Sequence, residues 1–214
     1  MSYLKQTLYI FLIAAFAAGH VMATEEAQYS VVLKEDNFEV RAYQAHILAQ
    51  TLVEGEFDSV GSEAFGRLFK YITGNNTSRQ DIEMTAPVTQ TSDGEKIKMT
   101  SPVAQQQLHG KWAVSFMMPA SSTLETLPKP KDPSIVLREV PARQMAALRY
   151  SGGWSEKNYT HHKSSLDAWI KDKGFKVIGD ALWARYDPPF QLWFLRRNEI
   201  LIPIEKPLEK NKTH

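Results

Sequence analysis

The chain has 214 residues, of which 43% are hydrophobic, and this size and composition suit one globular domain with a packed core. The 25 Lys and Arg residues nearly balance the 24 Asp and Glu residues, and no block of like charge occurs, so nucleic acid is not an expected partner. Because the chain contains no cysteine, disulfides, thiolate metal sites and cysteine nucleophiles are excluded.

The N-terminal segment differs in character from the rest of the chain. Lys5 is the only charge before an apolar run at residues 8–18, and small or modest side chains occupy residues 21–23, as a signal peptidase requires. The pattern predicts a secretory signal peptide at residues 1–23, a single mature domain at residues 24–214 and an exported, periplasmic protein. The alternative is an uncleaved membrane anchor, although the apolar run is shorter than the roughly 20 residues of a membrane span.

An internal repeat is indicated by two similar segments. Residues 40–48 (VRAYQAHIL) can be aligned with residues 140–148 (VPARQMAAL), and Val, Ala, Gln and Leu then coincide. Each copy continues through a glycine and an aromatic residue into a residue suited to cap a helix, Asp58 or Ser155. The sequence therefore predicts two copies of one unit, each leading into a helix.

Both predicted helices carry one apolar stripe at three- and four-residue steps. The first ends at Gly74, and the second ends at Gly174 after two lysines that suit the negative helix terminus. The stripe residues are Phe57, Val60, Gly61, Ala64, Phe65, Leu68, Phe69 and Ile72 in the first helix and Tyr159, His162, Leu166, Trp169 and Ile170 in the second.

A β-hairpin is predicted after the first helix, with Asp93-Gly94 as its turn. This register places Val88 opposite Met99 and Met84 opposite Val103. Both methionines alternate with Ile and Val and are interpreted as core fillers. The second strand is expected to direct Ile97, Met99, Ser101 and Val103 to the core and Lys98 and Thr100 to solvent.

Strands predominate in the remainder of the chain. They are predicted at residues 112–118, 135–139, 182–186 and 190–204, with proline-rich segments between them. Two helices cannot cover so many strands on both faces. The expected fold class is therefore α+β, a duplicated antiparallel sheet, curved or closed, with the helices packed against it.

A tandem motif is the most specific feature of the sequence. IEMTAPV at residues 82–88 is followed by IKMTSPV at residues 97–103, and the prolines suit edge or bulged strand positions. This pattern resembles the SOUL haem-binding family, particularly its bacterial members. Further stretches agree with that family: FEVRAY at 38–43, YITGNN at 71–76, MP at 118–119, LPKPKDP at 127–133, ARYDPP at 184–189 and RRNE at 196–199.

The resemblance implies a distorted antiparallel β-barrel of two repeated units with two flanking helices, similar to bacterial effector-binding domains. It implies reversible, non-catalytic binding of haem or another tetrapyrrole in a hydrophobic cleft beside the first helix. Without cysteine, the haem would be non-covalent. The candidate cofactor-binding residues that match this cleft are Phe65, Leu68, Phe69 and Lys70. The three apolar residues can instead face the sheet, and Lys70 can be a solvated charge.

An axial ligand to haem iron would be His, Met, Cys or Tyr. In some animal members of the family, a histidine proposed as ligand occupies the variable position of the E-[IV]-R-x-Y motif, where this chain has Ala42. His46 and His162 are interpreted as packing residues rather than ligands. Binding is therefore expected to rest mainly on apolar burial, with basic residues at the propionates.

The RRNE motif is preceded by an apolar loop at residues 190–193 (FQLW), where the family can offer another basic group. The loop is interpreted as a hydrophobic lid or as a sign of a different ligand. Arg196 and Arg197 alternate across the strand, so at most one faces a pocket, and an ion pair with Glu199 is the other interpretation.

Two alternatives to haem binding stay open. The first is an envelope module that binds a non-haem lipid, another hydrophobic small molecule or a protein through the same cleft. The second is a hydrolase on the same fold, although the chain has no G-x-S-x-G, phosphate-loop, HExxH or dinucleotide motif.

Overall fold

The computed structural model describes residues 24–78 and 94–205, and it confirms the α+β class. Two α-helices, α1 (Phe57–Ile72) and α2 (Glu156–Asp172), accompany one large sheet and two short strand pairs. In chain order the strands are β1 (Glu25–Glu26), β2 (Tyr29–Glu35), β3 (Phe38–Tyr43), β4 (His46–Val53), β5 (Asn76–Thr77), β6 (Thr100–Ser101), β7 (Val103–Leu108), β8 (Lys111–Met117), β9 (Lys129–Pro130), β10 (Ile135–Val140), β11 (Arg143–Tyr150), β12 (Lys176–Val177), β13 (Leu182–Arg185) and β14 (Asn198–Glu205).

The large sheet has the strand order β10-β4-β8-β7-β13-β14-β11-β3-β2, and β12 also pairs with β14. All of these pairings are antiparallel. Strands β10 and β2 lie at the two ends, and no pairing within the described ranges joins them. The sheet is therefore open, and the expected distorted barrel is corrected to an open sheet.

The sheet consists of two similar halves that exchange their first strands. The first half contributes β3, β4, β7 and β8, and the second contributes β10, β11, β13 and β14. Strand β3 pairs with β11 of the second half and β10 pairs with β4 of the first, while the halves meet at β7 and β13. This arrangement confirms the duplicated unit.

The register of the repeat differs from the sequence alignment. Equivalent strands begin at Phe38 and Ile135, so Val40 corresponds to Leu137 rather than to Val140. Short strands share the same alternation of apolar and polar residues, so identical residue types in a sequence alignment do not determine which positions are structurally equivalent.

Helix α1 packs against β4 and β8, with Val60, Ala64, Leu68, Tyr71 and Ile72 buried. Glu56 is its N-cap, so the expected capping position at Asp58 is wrong by part of a turn. The predicted end at Gly74 is confirmed, since this residue has a φ of 120° and the helix stops before it. The stripe is otherwise correct except at Phe69, which is exposed.

Helix α2 covers the second half of the same face. Ser155 is its N-cap, as predicted, and its side chain accepts a hydrogen bond from the backbone N–H of Asn158. Leu166 and Ile170 are fully buried against β11 and β14. Phe57 of α1 stacks on Trp183 with ring centroids 4.6 Å apart, and this contact joins the two halves of the core.

The predicted hairpin lies partly outside the described residues, which resume at residue 94. In the described part, Thr100 and Ser101 form β6, which pairs in parallel with β1. Thr100 is buried and its hydroxyl donates to the carbonyl of Met117, whereas Met99 is exposed. The assignment of Met99 to the core and Thr100 to solvent is therefore wrong, because pairing with β1 sets the orientation of this segment.

The last predicted strand is much shorter than expected. Strand β14 begins only at Asn198, and Trp193–Leu195 form a single 3₁₀ turn instead.

No helix within the described ranges is both long and apolar enough to cross a membrane.

Candidate functional site

A cleft of about 440 Å³ opens beside α1. It lies between the helix, the segment that leads into β7 and the loop that follows β13. Its volume falls within the range of about 300–1,000 Å³ that is usual for small-molecule sites. Most of its surface is apolar, and the residues that provide this surface include Phe65, Met99, Val103, Trp154, Pro188 and Pro189.

The helix wall of the cleft is formed by Phe65. Its ring stacks on that of Phe69 at a centroid distance of 5.7 Å and meets Phe116 edge-on at 5.3 Å. These contacts hold the ring of Phe65 in place beneath the cleft. Gly61 lies on the same wall and leaves room there for the side chain of Arg185.

Arg185 brings a positive charge to this apolar surface. Its guanidinium carbon lies 3.8 Å from the ring centroid of Trp183 and 4.9 Å from that of Trp154. One terminal nitrogen, Nη2, donates to Oε1 of Gln105 at 3.1 Å. The two indole rings and the amide therefore hold the cation in a fixed orientation at the edge of the cleft.

Tyr186 also lines the cleft, but its hydroxyl is directed to Glu199. The hydroxyl donates to Oε2 of Glu199 at 2.9 Å, and the carboxylate of Glu199 is fully buried. Burial, reinforced by this negative charge, raises the pKa of Tyr186 well above its ordinary value. The phenol therefore stays protonated and is not positioned to ligate iron in the cleft.

Two arginines form ion pairs with the buried carboxylate of Glu199. Arg41 Nη1 lies 2.6 Å from Glu199 Oε2, and Arg197 Nη2 lies 3.0 Å from Oε1, so the ion-pair interpretation of Arg197 is the one that the structure shows. Burial opposes the charge of Arg41, but the carboxylate outweighs it and raises the pKa of Arg41 above its ordinary value. This network fixes the base of the loop that borders the cleft.

The four residues suggested by the family resemblance have different environments. Phe65 lines the cleft, and Phe69 lies at the surface beside it. Leu68 is completely buried in the core, so it faces the sheet rather than the cleft. Lys70 is exposed near the end of α1 and does not line the cleft.

The histidines of interest lie away from this cleft. His46 is half-buried on β4, where its Nδ1 is 2.9 Å from the carbonyl of Gln44. His162 stacks on Tyr150 at a centroid distance of 3.9 Å, and its Nδ1 is 2.8 Å from the carbonyl of Asn158. Both have the packing environment predicted from the sequence. Ala42 borders a separate, shallow depression between β2 and β3.

Sequence reasoning missed three residues of the cleft. Arg185 lies within the ARYDPP stretch that resembles the family, so a signal for it was present. Trp154 is the aromatic residue of the second repeat copy, where the sequence pattern indicates only that a helix follows. Met99 was assigned to the core because its neighbours alternate like those of a buried strand.

Comparisons with known proteins agree with this fold. The family model described as SOUL heme-binding protein matches residues 24–203. Heme-binding protein 2 of Mus musculus is 26% identical over 180 residues, which cover 82% of each chain. Heme-binding protein 2 of Homo sapiens is 24% identical over the same length and coverage.

Solved structures show the same fold at low identity. A hydrolase from Listeria innocua has a TM-score of 0.55 at 11% identity, covering 81% of this chain and 94% of its own. The C-terminal domain of EcmrR has a TM-score of 0.54 at 11% identity, covering 84% of this chain and 99% of its own. Since the family model spans nearly all of the described residues, the chain belongs to the SOUL heme-binding protein family.

Proposed function

We propose that this protein binds haem or a similar tetrapyrrole, reversibly and without catalysis, in the cleft beside α1. One observation carries the proposal: the cleft combines a mostly apolar lining of suitable volume with the fixed cation of Arg185. Family membership supports the choice of ligand. The proposed site keeps Phe65 from the sequence-based expectation, with Phe69 stacked on it at the surface, and adds Trp154 and Arg185 in place of Leu68 and Lys70.

The cleft residues fit the chemistry of a flat, dianionic macrocycle. Phe65, Trp154 and the two prolines provide apolar surface, whose burial stabilises a complex by about 25 cal/mol per Å². Arg185 would form an ion pair with a propionate. Haem would bring an iron centre that accepts axial ligands, and the exposed thioether of Met99 is a suitable donor at the cleft.

A titration with hemin tests the proposal. We expect a shift of the Soret band and quenching of Trp fluorescence at micromolar hemin, because Trp154 lies in the cleft. Absence of both changes would reject haem as the ligand. Met99→Leu should change the Soret position while leaving most of the affinity, whereas an unchanged spectrum would exclude the thioether as a ligand.

The same cleft suits the main alternative, a hydrophobic small molecule without iron. Competition separates the two: an iron-free porphyrin and a non-tetrapyrrole aromatic dye are each titrated against bound hemin. Displacement by the dye at concentrations similar to those of the porphyrin would favour a general hydrophobic site. Incubation of the protein with ester substrates tests the hydrolase alternative, and turnover lost on Arg185→Gln would contradict the non-catalytic proposal.

We also propose export to the periplasm with removal of residues 1–23. The sequence pattern of a charge, an apolar run and small residues supports this. The N-terminal sequence of the protein isolated from the cell envelope tests it, since a first residue at Met1 would indicate an uncleaved anchor.

A further inference from the structure

The loop between β13 and β14 exposes an unusual amount of apolar surface. Five of the six residues from 190 to 195 are large and apolar, with between 52% and 87% of each residue exposed: Phe190, Leu192, Trp193, Phe194 and Leu195. Their side chains lie outside the cleft lining, so the proposed ligand site does not account for them. A contiguous patch of this kind marks a surface that contacts another apolar phase.

Several backbone groups of this loop are hydrogen-bonded within the protein. Arg196 donates through Nε to the carbonyl of Gln191 at 2.8 Å and through Nη2 to that of Pro189. The carbonyl of Leu192 accepts from Leu195 N–H, and that of Trp193 accepts from Gly152 N–H. Each of these hydrogen bonds lowers the cost of moving the loop out of water, because an unpaired peptide group is costly in hydrocarbon.

The loop is also held in a fixed position. The guanidinium carbon of Arg196 lies 4.3 Å from the ring centroid of Trp154, so the same side chain that binds the loop carbonyls stacks on the cleft wall. The apolar side chains therefore lie at the surface of a turn that Arg196 holds in one conformation. Ordering them at a surface has a low entropic cost because the backbone is already fixed.

The position where the N-terminal segment joins the fold points to the same face. Thr24 lines the cleft together with Pro188 and Pro189, directly before the apolar loop. The apolar run at residues 8–18 ends six residues before Thr24, a distance that the chain spans with at most about 20 Å. An N-terminal run held in a membrane would therefore keep Thr24, and with it the cleft edge next to the loop, within about 20 Å of that membrane.

We propose that residues 190–195 dock the protein on a lipid bilayer, inserting Phe190, Trp193 and their apolar neighbours at the headgroup boundary. Trp is favoured at this boundary because its ring is apolar while its N–H remains polar. Because residues 190–195 carry no charged side chain, their insertion depends on apolar area, so zwitterionic vesicles suffice and added salt has little effect. The mouth of the cleft, which Pro188 and Pro189 border, then lies at the membrane surface.

Fluorescence quenching by brominated phosphatidylcholine tests the docking directly on the full chain. The difference between wild type and Trp193→Phe isolates the emission of Trp193. We expect brominated vesicles to quench this component strongly, and the matched control Trp169→Phe, which removes a Trp on α2, to retain the quenching. Equal quenching of wild type and Trp193→Phe would overturn the proposal, since Trp193 would then lie outside the bilayer.

Co-sedimentation with zwitterionic vesicles gives a second measure. Phe190→Ser combined with Trp193→Ser should weaken partitioning about tenfold or more, because two large apolar side chains no longer leave water. Val136→Ser, which changes an exposed apolar residue on β10, serves as the control and should leave it unchanged. A wild-type dimer that dissociates in the double variant, without loss of vesicle binding, would show instead that a second copy covers the loop.

Discussion

The guanidinium of Arg41 lies 2.6 Å from the carboxylate of Glu199, although their strands β3 and β14 are separated by β11. Both side chains are buried, and each belongs to a stretch that resembles the family, FEVRAY or RRNE. Two of the conspicuous sequence motifs therefore meet in one ion pair. In this chain their ion pair holds β3 to β14 and fixes the base of the loop.

Removal of one member of this pair should destabilise the protein strongly. We expect Arg41→Ala to lower the free energy of unfolding by about 3–5 kcal/mol, because it leaves Glu199 with less compensation for its buried charge. Urea denaturation measures the change. Lys163→Ala, which breaks the half-exposed pair with Asp167, is the control and should cost about 0–1 kcal/mol. Similar losses in both variants would contradict the importance of the buried pair.

His46 should make stability depend on pH. Burial lowers the pKa of His46 in the folded protein below its ordinary value of about 6.5. Between that ordinary value and the lower folded pKa, the unfolded chain binds a proton at His46 that the folded protein does not bind. The stability contributed by neutral His46 is therefore fully present above about pH 6.5 and is lost as the pH falls through the folded pKa. The unfolding free energy of His46→Asn should therefore fall less than that of wild type between pH 7.5 and 5. Parallel curves for the two proteins would show that His46 has no such role.

Substitutions at Leu68 and Phe65 should have different effects, the first on the free energy of unfolding and the second on hemin affinity. Leu68→Ala should lower the free energy of unfolding by about 2–5 kcal/mol, because it opens a cavity in the core, while the folded variant keeps its hemin affinity. Phe65→Ala should weaken hemin binding about tenfold or more through lost apolar contact. Thermal unfolding and hemin titration of both variants measure these effects. A selective loss of affinity in Leu68→Ala would place the ligand elsewhere.

Gly61 should control the position of the cleft cation. A Cβ atom at Gly61 would stand 2.9 Å from Nη1 of Arg185, so Gly61→Ala should displace the guanidinium and weaken hemin binding about tenfold through the lost charged hydrogen bond. Gly66→Ala on the same helix meets nothing within 4 Å and is the matched control. Both substitutions favour the helix, but Gly61→Ala also disturbs the contacts of Arg185 with Trp183 and Gln105, so urea denaturation must show that each variant is fully folded under the titration conditions. Equal hemin affinities would exclude Arg185 from the site.

Local patterns predicted the elements of the fold well. The apolar stripes located both helices, and Gly74, Ser155 and Gly174 marked their ends, because each signal depends on residues close in sequence. The exchange of β3 and β10 between the halves could not be predicted in the same way. Strand partners are chosen by the whole sheet, and the alternation of a strand does not name its neighbour.

The candidate site was predicted less completely for a related reason. Residues 190–195 have the composition of a buried strand, yet Arg196 and two prolines hold them as an exposed turn. Met99 has an apolar alternating context, yet the pairing of β6 with β1 leaves it at the surface. In both cases a long-range contact overrides the local pattern.

The exchange of first strands also bears on how the chain can be divided. A cut between β8 and β10 would leave β3 on the N-terminal fragment, although its partner β11 lies on the other, and β10 would be separated from β4 in the same way. The C-terminal fragment would therefore carry β10 without its partner β4, and the N-terminal fragment would keep β3 paired with β2 alone. Two such fragments, produced together, should reassemble into the native sheet, whereas either one alone should expose a strand edge and aggregate.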